Sequence, residues 1–229
     1  LGVSVYRRDR EEFEFHPGPI FADLVLADEV NRATPKTQSA LLEAMEERQI
    51  TVEGETRKLK QPFFVIGTQN PLDQSGTFPL PESQLDRFMM KLNLGYPDQQ
   101  AERQLLAGES RQHLLEHLQP LVSSQSLLEI QHQVEKIHVS EALLDYLQLL
   151  IQATRDNTLF IYGLSPRAAL SLLKAARAWA LMNGRDYVEP GDIKAVFIAV
   201  CSHRLIAAEQ NSKKVETLLD DLLERIVIP

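Results

Sequence analysis

Apolar and polar positions divide the chain into two unlike parts. Val3 and Val5, then Phe13 and Phe15, alternate on either side of a charged centre, Arg7-Arg8-Asp9-Arg10-Glu11-Glu12. That pattern predicts an exposed β-hairpin. His16-Pro17-Gly18-Pro19 breaks the chain. Leu24-Val25-Leu26-Ala27 follows as a continuous apolar run ending in Asp28-Glu29. A run apolar on both faces suits a central parallel strand with helices over it. Thr34 and Pro35 supply a capping side chain and a first-turn proline, and Ala40, Leu41, Ala44 and Met45 make the apolar stripe of the helix they start. It ends near Arg48. Ile50 to Leu59 predicts a second hairpin with Glu53-Gly54 at its turn. Phe63 to Thr68 is another apolar strand ending in polar residues, Gln69-Asn70. The order strand, helix, hairpin, strand belongs to an α/β layer.

Beyond Tyr96-Pro97-Asp98 the period becomes helical. Leu143, Leu144, Leu147, Leu150 and Ile151 form one stripe after Ser140; Ser165-Pro166 opens a helix that stops at Asn183-Gly184. Pro190 opens another, carrying Ile193, Val196, Phe197 and Val200, and Val215 to Ile226 repeats the pattern. Amphipathic helices on short connections predict a small bundle. The expected division is residues 1–97 as the α/β part and 98–229 as the helical part.

Composition narrows the function classes. The 229 residues are 44% apolar and 24% charged, with a formal charge of −8. That charge argues against nucleic acid or an anionic membrane as a general partner. One cysteine, Cys201, excludes an internal disulfide and reads as a small buried hydrophobe. No apolar run approaches the roughly 20 residues that cross a bilayer, and charged residues from Arg7 onward do not suit a signal peptide. A cytoplasmic protein is expected. The chain starts mid-pattern at Leu1-Gly2, as a fragment would.

Candidate chemistry sits at the strand ends. In open α/β sheets, ligands bind beyond the carboxyl ends of the strands. Asp28 there can hold Mg²⁺, and Glu29 can orient and deprotonate a water; the plainer reading is a solvated strand end. Asn70 can hydrogen-bond a phosphate or the attacking water without adding charge, or can be a turn residue before Pro71. Arg87, in Leu85-Asp86-Arg87-Phe88, offers a guanidinium fork that suits phosphate oxygens, or a surface ion pair. Arg167 stands second in its helix, where the macrodipole disfavours a cation, which points to an anionic partner. His113 and His117 with Glu116 lack the order of a zinc-protease motif and read as a solvated helix face. Trp179 and Tyr146 read as core aromatics, and Arg7 to Glu12 as a solvated tip.

Four segments in order and spacing resemble the MoxR family of AAA+ ATPases. Leu24-Val25-Leu26-Ala27-Asp28-Glu29-Val30-Asn31-Arg32-Ala33 is similar to its Walker B region, and Phe64-Val65-Ile66-Gly67-Thr68-Gln69-Asn70-Pro71 to its sensor-one strand. Gly76 to Phe88 resembles the segment ending in its arginine finger, and Gly163-Leu164-Ser165-Pro166-Arg167-Ala168 its sensor-two helix start. The resemblance, running from residue 1 to about 205, implies an α/β, P-loop NTPase-like AAA+ core followed by an all-α lid, with ATP and Mg²⁺ bound between them. It implies that Asp28 holds Mg²⁺, Glu29 activates water, Asn70 senses the γ-phosphate, Arg87 reaches a neighbouring subunit's ATP and Arg167 contacts nucleotide from the lid. It further implies a homo-oligomeric ring of six, hairpins facing its pore, and protein clients, von Willebrand factor A domain proteins among them.

One departure matters. The phosphate-binding loop Gly-x-x-x-x-Gly-Lys-Ser/Thr is absent, and none of the ten glycines precedes a lysine. The resemblance places that loop upstream of residue 1, so the core is expected to be N-terminally incomplete and the stretch inactive by itself. The alternatives are a magnesium-chelatase- or helicase-like motor, and a non-enzymatic scaffold that has lost the loop.

Overall fold

The computed structural model describes residues 2–70, 76–108, 118–156, 158–209 and 212–228. Strands β1 (Gly2–Arg7) and β2 (Glu12–Pro17) pair antiparallel from Gly2↔Pro17 to Arg7↔Glu12, with an exposed tip between them. The strand therefore runs to Pro17, past the expected break at His16. The second hairpin is β4 (Gln49–Val52) and β5 (Glu55–Lys58). Its two turn residues, Glu53 and Gly54, both have positive φ, 54° and 81°, the geometry that matches strand twist in a two-residue loop. The hairpins lie together: Ser4 Oγ donates to the Glu53 carboxylate, and the Arg57 guanidinium sits 3.9 Å from the Phe15 ring centroid.

Between them in the chain, β3 (Leu24–Ala27) pairs in parallel with β6 (Phe64–Gly67), register Leu24↔Phe64 to Ala27↔Gly67. Helix α1 (Pro35–Glu47) starts where Thr34 Oγ1 accepts the Thr37 N–H at 3.3 Å, and Arg48 at φ 55° ends it. Its Leu41 and Ala44 join Ile20, Ile50 and Phe63 in a small core, with Val25, Ala27 and Val65 packed on it. The other sheet face differs from the expectation of two-sided cover. Leu24, Leu26, Phe64 and Ile66 are exposed, because α1 lies on one side and no described residues cover the other.

Helix α2 (Glu82–Leu85) packs on the α/β part through Leu85. The helical part contains α3 (Gln99–Leu106), α4 (Ser124–Lys136), α5 (Glu141–Thr154), α6 (Pro166–Met182), α7 (Pro190–Cys201) and α8 (Val215–Arg225). Ser140 and Ser165 cap α5 and α6 by accepting the N–H groups of Leu143 (3.2 Å) and Ala168 (3.0 Å). Small residues on α6, Ala168, Ala175, Ala176 and Ala180, let it lie close on Ile193, Val196, Phe197 and Val200 of α7. Tyr146 and Cys201 are fully buried as expected, and burial pushes the Cys201 thiol up to about 12. Trp179 is not a core aromatic. It is 41% exposed, since the buried side of α6 is filled by alanines and Leu172, leaving the indole at its edge.

A charged pair pins the start of α7. Arg185 donates two parallel hydrogen bonds to Asp192, Nη1 to Oδ2 at 2.7 Å and Nη2 to Oδ1 at 2.5 Å. The Glu189 N–H adds a third at 2.8 Å, and Asp192 is only 2% exposed. The Arg185 side chain is 23% exposed and regains water when its partner is removed. Asp192→Ala should therefore destabilise the chain by about 1–3 kcal/mol in denaturant unfolding, through the lost hydrogen bonds to the carboxylate. A loss below about 1 kcal/mol, the worth of an exposed pair, would show otherwise.

Candidate functional site

The parallel register builds the first cluster. Thr68 follows β6 opposite Asp28, and its N–H donates to the Ala27 carbonyl at 3.0 Å. Its hydroxyl donates to Asp28 Oδ1 at 2.5 Å and accepts the Glu29 N–H at 2.9 Å, while its carbonyl accepts the Val30 N–H at 3.0 Å. One threonine thus uses both senses of its hydroxyl to hold two consecutive acidic residues. Glu29 sits at φ 46°, ψ 51°, a left-handed conformation costing a non-glycine residue roughly 1–2 kcal/mol. The Thr68 bonds sustain it and turn the chain from strand into the 3-10 turn Val30–Arg32. Arg32 Nε lies 3.1 Å from Glu29 Oε2. Buried Gln38 on α1 donates to Val30 O at 3.1 Å and Phe78 O at 3.0 Å, fastening this turn to the segment that leads to Arg87. Asn70 stands two residues beyond Thr68, past the same strand end.

Arg87 and Arg167 form a second cluster. Both guanidiniums pair with Glu46 in the last turn of α1, one on each carboxylate oxygen. Glu46 therefore supplies, inside the chain, the anion that a cation at the start of α6 calls for. Gly163 sets the approach: a Cβ there would fall 2.6 Å from Arg155 Cα, so only glycine admits the chain at the α6 start. Asp86, beside Arg87, accepts from Ser165 Oγ at 3.1 and 3.0 Å and from Arg204 Nε at 2.8 Å. Arg167 Nη1 is 3.9 Å from its other oxygen.

Thr68, Glu46 and Arg204 were not marked by the sequence reading. Aligning the polar ends of the two apolar strands would have found Thr68. Glu46 and Arg204 carry no local signal, because their partners lie 121 and 118 residues away. His113, Glu116 and His117 lie outside the described residues. Among the described residues no group of three or more His, Cys, Asp or Glu could hold a metal, and no helix is long and apolar enough to cross a membrane.

Residues 1–90 match the model of the ATPase family associated with various cellular activities (AAA), and residues 152–225 the AAA lid domain. Chaperone MoxR1 of Mycobacterium tuberculosis is 39% identical over the whole chain, which spans 61% of that protein. The chain belongs to the MoxR family of AAA+ ATPases. YeaC of Bacillus subtilis is 41% identical across the whole chain, covering 72% of that protein. A crystal structure from Cytophaga hutchinsonii superposes with a TM-score of 0.90 at 38% identity, covering the whole chain and 73% of its own. The MoxR-family resemblance drawn from four short motifs thus holds along the full length, and the fold is the AAA+ α/β core with its helical lid.

The residues present fit the metal end of a nucleotide site. Asp28 offers a hard carboxylate oxygen with Thr68 fixing its partner, suited to a cation that keeps most of its waters. Asp28 and Glu29 fall within the stretch matched to the ATPase model, and Arg167 and Arg204 within that matched to the lid.

His203 accompanies Arg204. Burial, then the neighbouring Arg204 charge, push its imidazole down to about 4; Lys91 adds to the shift, while the Phe88 carbonyl and Asp86 oppose it. Neutral His203 donates Nε2–H to Phe88 O at 3.0 Å. Below its ordinary value of 6.5 the unfolded chain binds a proton at this residue that the folded chain does not. Stability should therefore fall as pH drops from 6.5 toward about 4, and His203→Gln, which keeps an N–H donor, should flatten that slope. Melting temperatures of the two proteins between pH 7 and 5 decide it; parallel slopes would show that His203 titrates normally.

Proposed function

We propose that this chain forms the greater part of a ring-forming, cytoplasmic ATPase that remodels protein partners. The carrying observation is the Asp28–Thr68–Glu29 cluster at the carboxyl end of a parallel strand pair, where such sheets bind ligands. The similarity to a protein named as a chaperone supports protein clients, and von Willebrand factor A domain proteins are one candidate class. A ring of six is the arrangement proposed for the subunits.

In this reading Asp28 holds Mg²⁺ and Glu29, aimed by its left-handed backbone, takes a proton from the attacking water. Asn70 hydrogen-bonds the γ-phosphate. Bound Mg²⁺ supplies charge neutralisation on the phosphate oxygens. Arg87 exchanges Glu46 for the phosphoryl group in a neighbouring subunit's site, and Arg167 contacts nucleotide from the lid. Sharing Glu46 eases that exchange, because the carboxylate keeps one guanidinium when it releases the other. The phosphate loop is not among these 229 residues, so the tests use a chain carrying that loop ahead of residue 1.

Glu29→Gln should abolish turnover and retain ATP binding, since the Mg²⁺ ligand Asp28 stays. Near-normal hydrolysis by this variant in a phosphate-release assay would reduce Asp28-Glu29 to a strand end. Arg87→Ala should cut turnover by roughly 10³ or more, the scale of arginine fingers. Its melting temperature should barely change, because a part-exposed ion pair contributes about 0–1 kcal/mol. Mixing Arg87→Ala with Glu29→Gln subunits should restore activity, since some interfaces then join an intact Arg87 to an intact Glu29. Absence of recovery in rings shown to exchange subunits would end the assignment in trans.

A further inference from the structure

Arg204 lies in the lid, in the 3-10 turn Ser202–Arg204 after α7, and its side chain is 2% exposed. Every nitrogen of its guanidinium is engaged. Nε donates to Asp86 Oδ1 at 2.8 Å, and Nη2 to the carbonyls of Asp86 at 3.1 Å and Phe88 at 2.6 Å. Nη1 donates to Met89 O at 3.1 Å and to Val200 O. The acceptors on residues 86, 88 and 89 bracket Arg87 on both sides. His203 adds its bond to Phe88 O, Ser165 holds the Asp86 carboxylate, and Lys91 N–H reaches Ala199 O at 2.8 Å. The opposite side of this segment belongs to the α/β core: Leu85 and Phe88 pack on its hydrophobic cluster, and the Phe88 ring lies so close to Gly67 that a Cβ there would sit 3.1 Å away. The backbone around Arg87 is therefore a wedge, with side chains in one part of the molecule and carbonyls gripped by the other.

We infer that Arg204 is a positioning residue for Arg87, fixing the finger's backbone to the lid so that the lid's position sets where the finger points. This rests on the reading of Arg87 as a finger acting on a neighbour's nucleotide. The geometry needs arginine. Its planar fork reaches several acceptors at once, whereas lysine presents three donors at one point and leaves some of these carbonyls unpaired. A residue that only glued the lid in place would weaken each subunit's own site. Arg204, acting through Arg87, leaves that site intact and weakens the finger offered to the next subunit.

The test uses Arg204→Lys in the loop-carrying protein, with Asp86→Asn as second variant should the first not fold. Turnover should fall at least tenfold while KM for ATP stays within about twofold. Arg204→Lys subunits mixed with Glu29→Gln subunits should recover activity as the Arg87→Ala mixture does, and mixed with Arg87→Ala they should not. Recovery with Arg87→Ala, or none with Glu29→Gln where the Arg87→Ala control recovers, overturns the inference. Hydrogen exchange at the amides of residues 87–91 reads the positioning without any appeal to the neighbour. It should accelerate in the variant, with α5 and α6 unchanged. Unaltered exchange overturns the inference whatever the mixtures do, whereas faster exchange with a failed control mixture places the fault in the trans reading instead.

Discussion

Four residue pairs between Leu24–Ala27 and Phe64–Gly67 set the register on which the candidate site depends. With Ala27 opposite Gly67, the next residue on each strand is an acid facing a hydroxyl, and Thr68 meets Asp28. A shift by one residue would turn every side chain of β6 to the other face. It would carry Thr68 away from Asp28 and remove the bonds that sustain the left-handed Glu29. The strain at Glu29 is tolerable only because the surrounding backbone over-determines it. Sheet register and the conformation of the proposed base are thus one constraint.

The second cluster follows a charge argument. Glu46 and Asp86 face Arg87, Arg167 and Arg204, two carboxylates against three guanidiniums. That leaves one positive charge in a chain whose formal charge is −8. A local excess of this kind suits an added anion, and the interaction is stronger where burial lowers the effective dielectric. Arg204 is buried and fully bonded, so the charges free to respond belong to Arg87 and Arg167, which share one carboxylate.

Much of the local structure was legible in the chain. Thr34, Ser140 and Ser165 cap helices through their own N3 backbone N–H groups, and Glu53-Gly54 closes a hairpin through its own dihedrals. Such signals act within a few residues, so a linear reading recovers them. The strand ends carrying Asp28 and Asn70 were legible for the same reason. The grip of Arg204 on Asp86 and the convergence of Arg87 and Arg167 on Glu46 were not, because they arise only when distant elements pack. Trp179 misled because helical periodicity does not tell which of two neighbouring stripes is buried when the buried one is built of alanines.

The two parts joined around Arg87 have unequal cores. The lid encloses a continuous cluster from Ile137 to Leu223, including fully buried Tyr146, Phe160 and Phe197. The α/β part has a smaller cluster around Ala44, Ile50 and Phe63, and one apolar sheet face stands open. An isolated two-stranded sheet is marginal in water, so the described α/β part leans on Gln38 to Phe78 and Phe88 against Gly67, while the part-exposed pairs of Glu46 with both arginines add little stability. Each of these touches the segment that bears Arg87 or its anchor. Arg87 is accordingly held where the better-packed lid meets the less-covered core. A displacement between them has to be taken up at that seam, because close-packed interiors deform little.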